Sequence, residues 1–245
     1  MKRTIRLTKN ALDCKNMQFR CQNCVALCKK NRDNANLIKN CTIKKTCKIT
    51  NSVLENCIVL DNCTIENCTL KDCFIFENCE IVDSRILDKV IIEQNCNIRA
   101  SYIYDNIHIG KNCKIGPFSH IRNSSDLNDC CRIGNYVEVK KSFVDCNTKI
   151  SHLSYVGDVS LGKNVNIGAG VIFCNYDGKQ KHRSVVGDNC FVGSHCTIIS
   201  PVVIGNNCFV GAGSCLNENL DENMFFLRRP EKTKKRKNKK EVAND

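Results

Sequence analysis

The chain has 245 residues, a formal net charge of +12 and 42% hydrophobic residues, enough for one sizeable core or one long repeat array. Aromatics make up only 6%, with no Trp and three Pro, which argues against a globule packed around large rings and for small, β-branched side chains stacked in register. No apolar run reaches the length of a membrane span and the N-terminus has no signal-peptide core, so a cytoplasmic protein without a membrane partner is expected.

Residues 1–40 form the first segment. Cys14, Cys21, Cys24 and Cys28 lie here, with a CQNC pair in the middle. Four thiolates could hold Zn²⁺ or a cluster, but no His is nearby and a chain with 21 cysteines generates such spacings by chance. Whether they bind a metal stays open; no metal ligand is assigned. The segment reads as a cap over the end of a solenoid.

From residue 41 to about 220 an apolar beat organises the chain. It recurs every six residues at Ile109, Ile115, Ile121, Leu127, Ile133 and Val139, and again at Val186, Val192, Ile198, Ile204, Val210 and Leu216. Neither a helix nor an ordinary strand has this period; a parallel β-helix does, with one short strand and one turn per repeat. In the first half the step alternates between five and six (Leu70, Ile75, Ile81, Ile86, Ile92, Ile98, Ile103), which reads as corner shortening in the same solenoid. Gly follows the apolar residue at positions such as Gly110, Gly134, Gly187 and Gly205, and Asn and Asp crowd the next two positions, as in GKN, GNN and GDN, residues that tolerate a left-handed corner. Thirteen of the 21 cysteines stand two residues before an Ile, Leu or Val, where a small buried residue fits. A reducing compartment follows.

Residues 221–245 form a basic tail: nine Lys or Arg against three acids from Arg228 onward, half of the net charge. It reads as a solvated segment. Without an RNA- or DNA-binding signature beside it, nucleic acid is not the expected partner.

Interruptions of a solenoid's beat point to function. The largest is NYDGKQKHRS from Asn175, expected to leave the surface as a loop. NYVEVKKSFVDCNTKISHLSYVGD brings Lys140, His152 and Tyr155 near successive corners, and GPFSHIR ends at Arg122. His152 is the candidate general base, since imidazole titrates near neutral pH. Arg122, Lys140 and Lys181 offer cations for a phosphate; Tyr155, Asn166 and Asn175 offer neutral hydrogen bonds to hydroxyls. The other histidines, His108, His120, His182 and His195, show no comparable company in the sequence.

GPFSHIR, IGNYVEVKKS, ISHLSYVGD, VNIGAGVIFCNYDGKQK and VGDNCFVGS, in this order and spacing, carry a resemblance. The chain resembles the acetyltransferase half of the bacterial bifunctional enzymes that make UDP-N-acetylglucosamine, within the hexapeptide-repeat acyltransferases. The likeness is strong from about Ile92 to Pro230 and fades through Cys41 to Val90. It implies a left-handed β-helix, a homotrimer with sites shared between subunits, and transfer of acetyl from acetyl-CoA to glucosamine-1-phosphate. It further implies that His152 accepts the proton, that Arg122, Lys140, Tyr155 and Asn166 hold the amino-sugar phosphate, and that Ala169, Asn175, Tyr176, Ser194, Ala212 and Arg229 line acetyl-CoA. The pattern departs where Asn123 follows Arg122 in place of the family's Pro, and in the tail, where the spacing from Arg229 to Pro230 is one residue short. No nucleotide-binding half accompanies these motifs, so uridylyl transfer would need a separate protein. The competing readings are another amino-sugar acceptor and a non-catalytic scaffold.

Overall fold

The computed structural model describes residues 36–228; the expectations for Cys14, Cys21, Cys24, Cys28, Arg229 and most of the basic tail lie outside them. The described chain is all β, without a helix, and no helix in it is long and apolar enough to cross a membrane. Successive strands fall into three parallel sheets of 11, 10 and 11 strands, each strand bonded to the one a full coil later. This is a parallel β-helix with three sides. The first sheet starts at Leu37–Lys39, the second at Thr42–Ile43 and the third at Lys48–Thr50.

The apolar beat becomes the interior. Ile86, Ile103, Ile121, Val139 and Val156 stack directly on one another in the first sheet, and all are fully buried. Each such side chain contributes roughly 1.5–3 kcal/mol of burial, which offsets the entropy of ordering a short strand and its turn. The alternating steps of the first half are shortened corners, as the sequence implied: Leu37 pairs with Val53, a coil of 16 residues, whereas Tyr102 pairs with His120, a coil of 18. Between Ile172 and Thr197 the offset grows to 25, because residues 175–183 leave the coil.

Eleven of the thirteen cysteines on the beat are buried, and Cys41 and Cys47 are half-buried at the N-terminal end. They do more than fill volume. Cys63, Cys96 and Cys208 each donate an S–H to a corner carbonyl of the next coil, at 3.0 Å to Phe76, Gly110 and Asp221. Ser119 and Ser154 make the same bond to Gly134 and Gly168. Burial pushes the Cys68, Cys190 and Cys196 thiols up, which keeps them protonated donors.

Corner chemistry corrects one expectation. Asn and Asp do occupy left-handed backbone, at Asn62, Asn78, Asn95 and Asn112 among others, and these four pass an amide hydrogen bond from coil to coil at 3.2, 3.1 and 3.3 Å. The glycines after the apolar residue mostly do not: Gly134 and Gly168 have ordinary φ. Glycine is needed there for close approach, since a Cβ on Gly134 would stand 2.0 Å from the Ser151 carbonyl oxygen.

His108 also departs from the sequence reading. On the outside of the second sheet its Nδ1 meets Asp126 at 2.8 Å and its Nε2 meets Glu93 at 3.1 Å. Asp126 foremost, then Glu93, raise its pKa to about 8 against the opposing effect of burial. The stabilisation is therefore complete below pH 6.5 and lost as the pH rises through 8. Chemical denaturation of His108→Gln beside the parent should show a deficit of about 1 kcal/mol at pH 6, screened by partial exposure, that vanishes by pH 9. A deficit independent of pH would contradict the ion pairing.

Candidate active site

Two corners of the prism, flanking the first sheet, carry the residues singled out in the sequence. At the third-to-first corner the strand Lys149–His152 ends on His152, directly above Asn135. His152 Nδ1 meets Asn135 Oδ1 at 2.6 Å. An amide oxygen only accepts, so Nδ1 is the donor, and in the neutral ring the lone pair is left on Nε2. Ala169, Ser194 and Ala212 continue upward on this corner. The backbone bonds Gly170 N to His152 O, His195 N to Ala169 O and Gly213 N to Ser194 O tie the column together at 3.2, 2.7 and 2.8 Å. The Ala169 N–H itself has no acceptor among the described residues.

The cationic set gathers at the first-to-second corner. Arg122 and Lys140 are adjacent in register on His120–Arg122 and Glu138–Lys140. Glu138 Oε1 accepts from Arg122 Nε at 2.8 Å, and Asn123 Oδ1 accepts from Nη1 at 2.6 Å. Where the family pattern has Pro, Asn123 thus holds the guanidinium and in turn donates to Asp105 at 2.9 Å. Lys140 is 11% exposed at its side chain and lies 3.8 Å from Asp158, which is itself buried. Asp158 also accepts from Asn175 Nδ2 at 2.6 Å, and the same amide reaches the Tyr155 hydroxyl at 3.3 Å. The Tyr155 ring lies over Gly157, where a Cβ would stand 2.4 Å from the hydroxyl oxygen.

The loop after Asn175 is ordered by one carboxylate. Asp177 Oδ1 accepts from the Gln180 and Lys179 N–H groups at 2.8 and 2.7 Å, and Oδ2 meets His182 at 2.7 Å, holding the carboxyl well below its usual range. The turn carries Lys181 back to Lys140, whose charge pushes the Lys181 ammonium pKa down. Tyr176 is 58% exposed and donates to Gly178 O at 2.8 Å.

Within one chain, residues of two groupings inferred from the sequence stand apart. Asn175 and Tyr176 stand with the cations, apart from Ala169, Ser194 and Ala212. Asn166 stands on the outside of the third sheet, in register with Lys149, apart from Arg122 and Lys140. Asn135 and Asp158 were missed because a residue 17 positions away becomes a neighbour only once the coil length is known. Arg228, not considered as a site residue, stacks near the top of the His152 corner: its N–H donates to Ser214 Oγ at 3.2 Å and its guanidinium meets Glu218 and Asn217.

Family comparison bears on this geometry. The bacterial transferase hexapeptide model matches residues 106–141 and 183–218, and the GlmU-like C-terminal hexapeptide model matches residues 24–114. Together the two models place hexapeptide repeats over residues 24–141 and 183–218. The second match covers the stretch where the likeness read from the sequence fades. Among curated hexapeptide-repeat relatives, the bifunctional protein GlmU of Thermodesulfovibrio yellowstonii is 47% identical over 116 residues, covering 47% of this chain and 26% of that protein. The GlmU of Legionella pneumophila is 48% identical over 113 residues, covering 46% and 24%. The chain thus spans about a quarter of the length of the curated relatives it matches. Among solved structures, the UDP-N-acetylglucosamine acyltransferase from Campylobacter jejuni is 16% identical with a TM-score of 0.39, covering 72% of this chain and 68% of that one.

Asp158 is the hub of the cationic corner. Asp158→Ala leaves Lys140 without its carboxylate and should cost about 2–3 kcal/mol, read as a melting temperature lower by about 5–10 °C. An unchanged melting temperature would show that Lys140 does not depend on it.

Proposed function

We propose that the protein is an acetyl-CoA-dependent N-acetyltransferase acting on glucosamine-1-phosphate. The observation that carries this reading is the His152–Asn135 pair, a tautomer-fixed imidazole with a free Nε2, on the same corner as the unpaired Ala169 N–H. The GlmU names of the relatives favour this acceptor and donor.

In this reaction the sugar phosphate binds Lys140 and Lys181, with Arg122 beside them, and its amine is oriented toward the thioester carbonyl. Nitrogen attacks, a C–N bond forms, and His152 Nε2 takes the proton released from the amine. The Ala169 N–H stabilises the developing oxyanion. The C–S bond then breaks and the CoA thiolate leaves, accepting the proton from His152. No covalent acyl-enzyme is required. Tyr155 and Asn166 hold sugar hydroxyls; Ala169, Asn175, Tyr176, Ser194 and Ala212 line the donor, with Arg229 on its phosphates.

The two corners face away from each other across the first sheet, so one chain supplies half of each site. A homotrimer with its first sheets turned inward brings the His152 corner of one copy against the Lys140 corner of the next. The exposed apolar side chains of that sheet, Val53, Ile172 and Ile199, support this arrangement. A cytoplasmic location and a separate uridylyltransferase complete the reading.

Acetylation of glucosamine-1-phosphate, followed by mass spectrometry, tests it. The parent should form N-acetylglucosamine-1-phosphate and His152→Ala should lose roughly 10²–10⁴-fold in kcat. No product from the parent, with other amino sugars also tried, would overturn the activity; product unaffected by His152→Ala would overturn the base.

A further inference from the structure

The second-to-third corner carries the amide ladder of left-handed Asn residues. It runs unbroken from Asn62 to Asn112, and again from Asn164 through Asn189 and Asn207 to Asn223 at 3.0, 3.1 and 3.1 Å. Between these stretches it fails. The strand register Lys114–Arg132–Lys149 stacks Cys130 on Asn112, and Asn147 on Cys130. Cys130 cannot pass the amide bond on, and the Asn147 side chain has no hydrogen-bond partner among the described residues.

Cys130 is costly here. Its φ is +61°, a conformation that Asn tolerates far better, and its side chain is exposed, so it does not serve as a buried small residue. At the gap a cavity of about 240 Å³ opens, lined by Cys130, Asn147, Lys149, Asn164, Val165 and Asn166. Below it, Lys114, Arg132 and Lys149 stand in direct cross-strand register on the outside of the third sheet. Three like charges at the interstrand spacing of about 4.8 Å repel one another. None is paired with a carboxylate among the described residues. The corner acids Asp129 and Asp145 are engaged elsewhere: Asp129 Oδ1 accepts from Lys111 N, and Asp145 Oδ1 from Asn128 Nδ2 and Cys146 N.

We propose that this gap is a second ligand site, for a diphosphate group, with Arg132 and Lys149 as its cations and the Asn147 amide as a neutral donor. A carboxylate carries one charge; a diphosphate spreads several over the distance between two rungs, which matches stacked cations better. The site goes beyond the proposed transferase chemistry. Asn166, assigned above to sugar hydroxyls, also lines this cavity, but the argument rests on Cys130, Arg132, Asn147 and Lys149.

Cys130 supplies its own probe. The full chain is alkylated with and without 5 mM inorganic pyrophosphate at low salt, and modification is followed peptide by peptide. Pyrophosphate should slow Cys130 at least fivefold, and the Arg132→Gln/Lys149→Gln double variant should abolish the protection. Parallel arms with ADP and inorganic phosphate separate a nucleoside diphosphate from the free anion: protection by ADP equal to or better than that by pyrophosphate assigns the nucleotide. Protection by phosphate as strong as by pyrophosphate, no protection by any of them, or protection that survives in the double variant overturns the proposal. Cys130→Asn restores the ladder; it should raise the melting temperature by about 2–4 °C and abolish the pyrophosphate-induced thermal shift seen in the parent. Retention of the full pyrophosphate shift in Cys130→Asn counts against the gap as the site.

Discussion

Everything in this molecule depends on register between coils. A parallel ladder bonds each strand to the strand one coil later, so any residue is fixed by what stands 16–18 positions away more than by its sequence neighbours. The apolar beat specifies that register, because a slip of one residue would turn Ile103 and Ile121 outward. Stacking then repeats identical needs on every coil. The corner carbonyl needs a donor, supplied by Cys or Ser, and the left-handed corner needs Asn or Gly.

Such regularity leaves few degrees of freedom for function, and what departs from it stands out. The long excursion after Asn175 brings Lys181 onto Lys140. The ring of Tyr155 lies across Gly157 toward Asn175. Bulky Phe118, Tyr136 and Leu153 occupy left-handed backbone in an exposed row beneath and beside His152, and the Phe118 and Tyr136 rings stack at 5.2 Å. Each of these is expensive in a repeat built for Asn and Gly, and they cluster around the two corners that flank the first sheet.

How much was readable beforehand follows from the same physics. The beat from Ile109 to Val139 and the spacing of Cys96 and Cys113 before it are local patterns, so the β-helix and its buried thiols were legible. His152, Lys140 and Arg122 were legible as chemistry but not as geometry. Their partners Asn135, Asp158 and Glu138 emerge from coil length, which varies between 16 and 18, grows to 25 at the excursion and cannot be assumed. The glycines misled for a related reason: the clash that excludes a side chain at Gly134 comes from Ser151 on the next coil, not from the local backbone. His108 looked solitary because Glu93 and Asp126 reach it only across two neighbouring strands.

The central claim is that the imidazole corner and the lysine corner act together only between copies of the chain. Coexpression of His152→Ala and Lys140→Ala chains in equal amounts, followed by assay of the mixed assemblies, tests this most directly. Each variant alone should be nearly inactive, while random mixing should restore about a quarter of the parent activity, since one interface in four unites two intact corners. Mixed assemblies no more active than the separate variants would contradict the account.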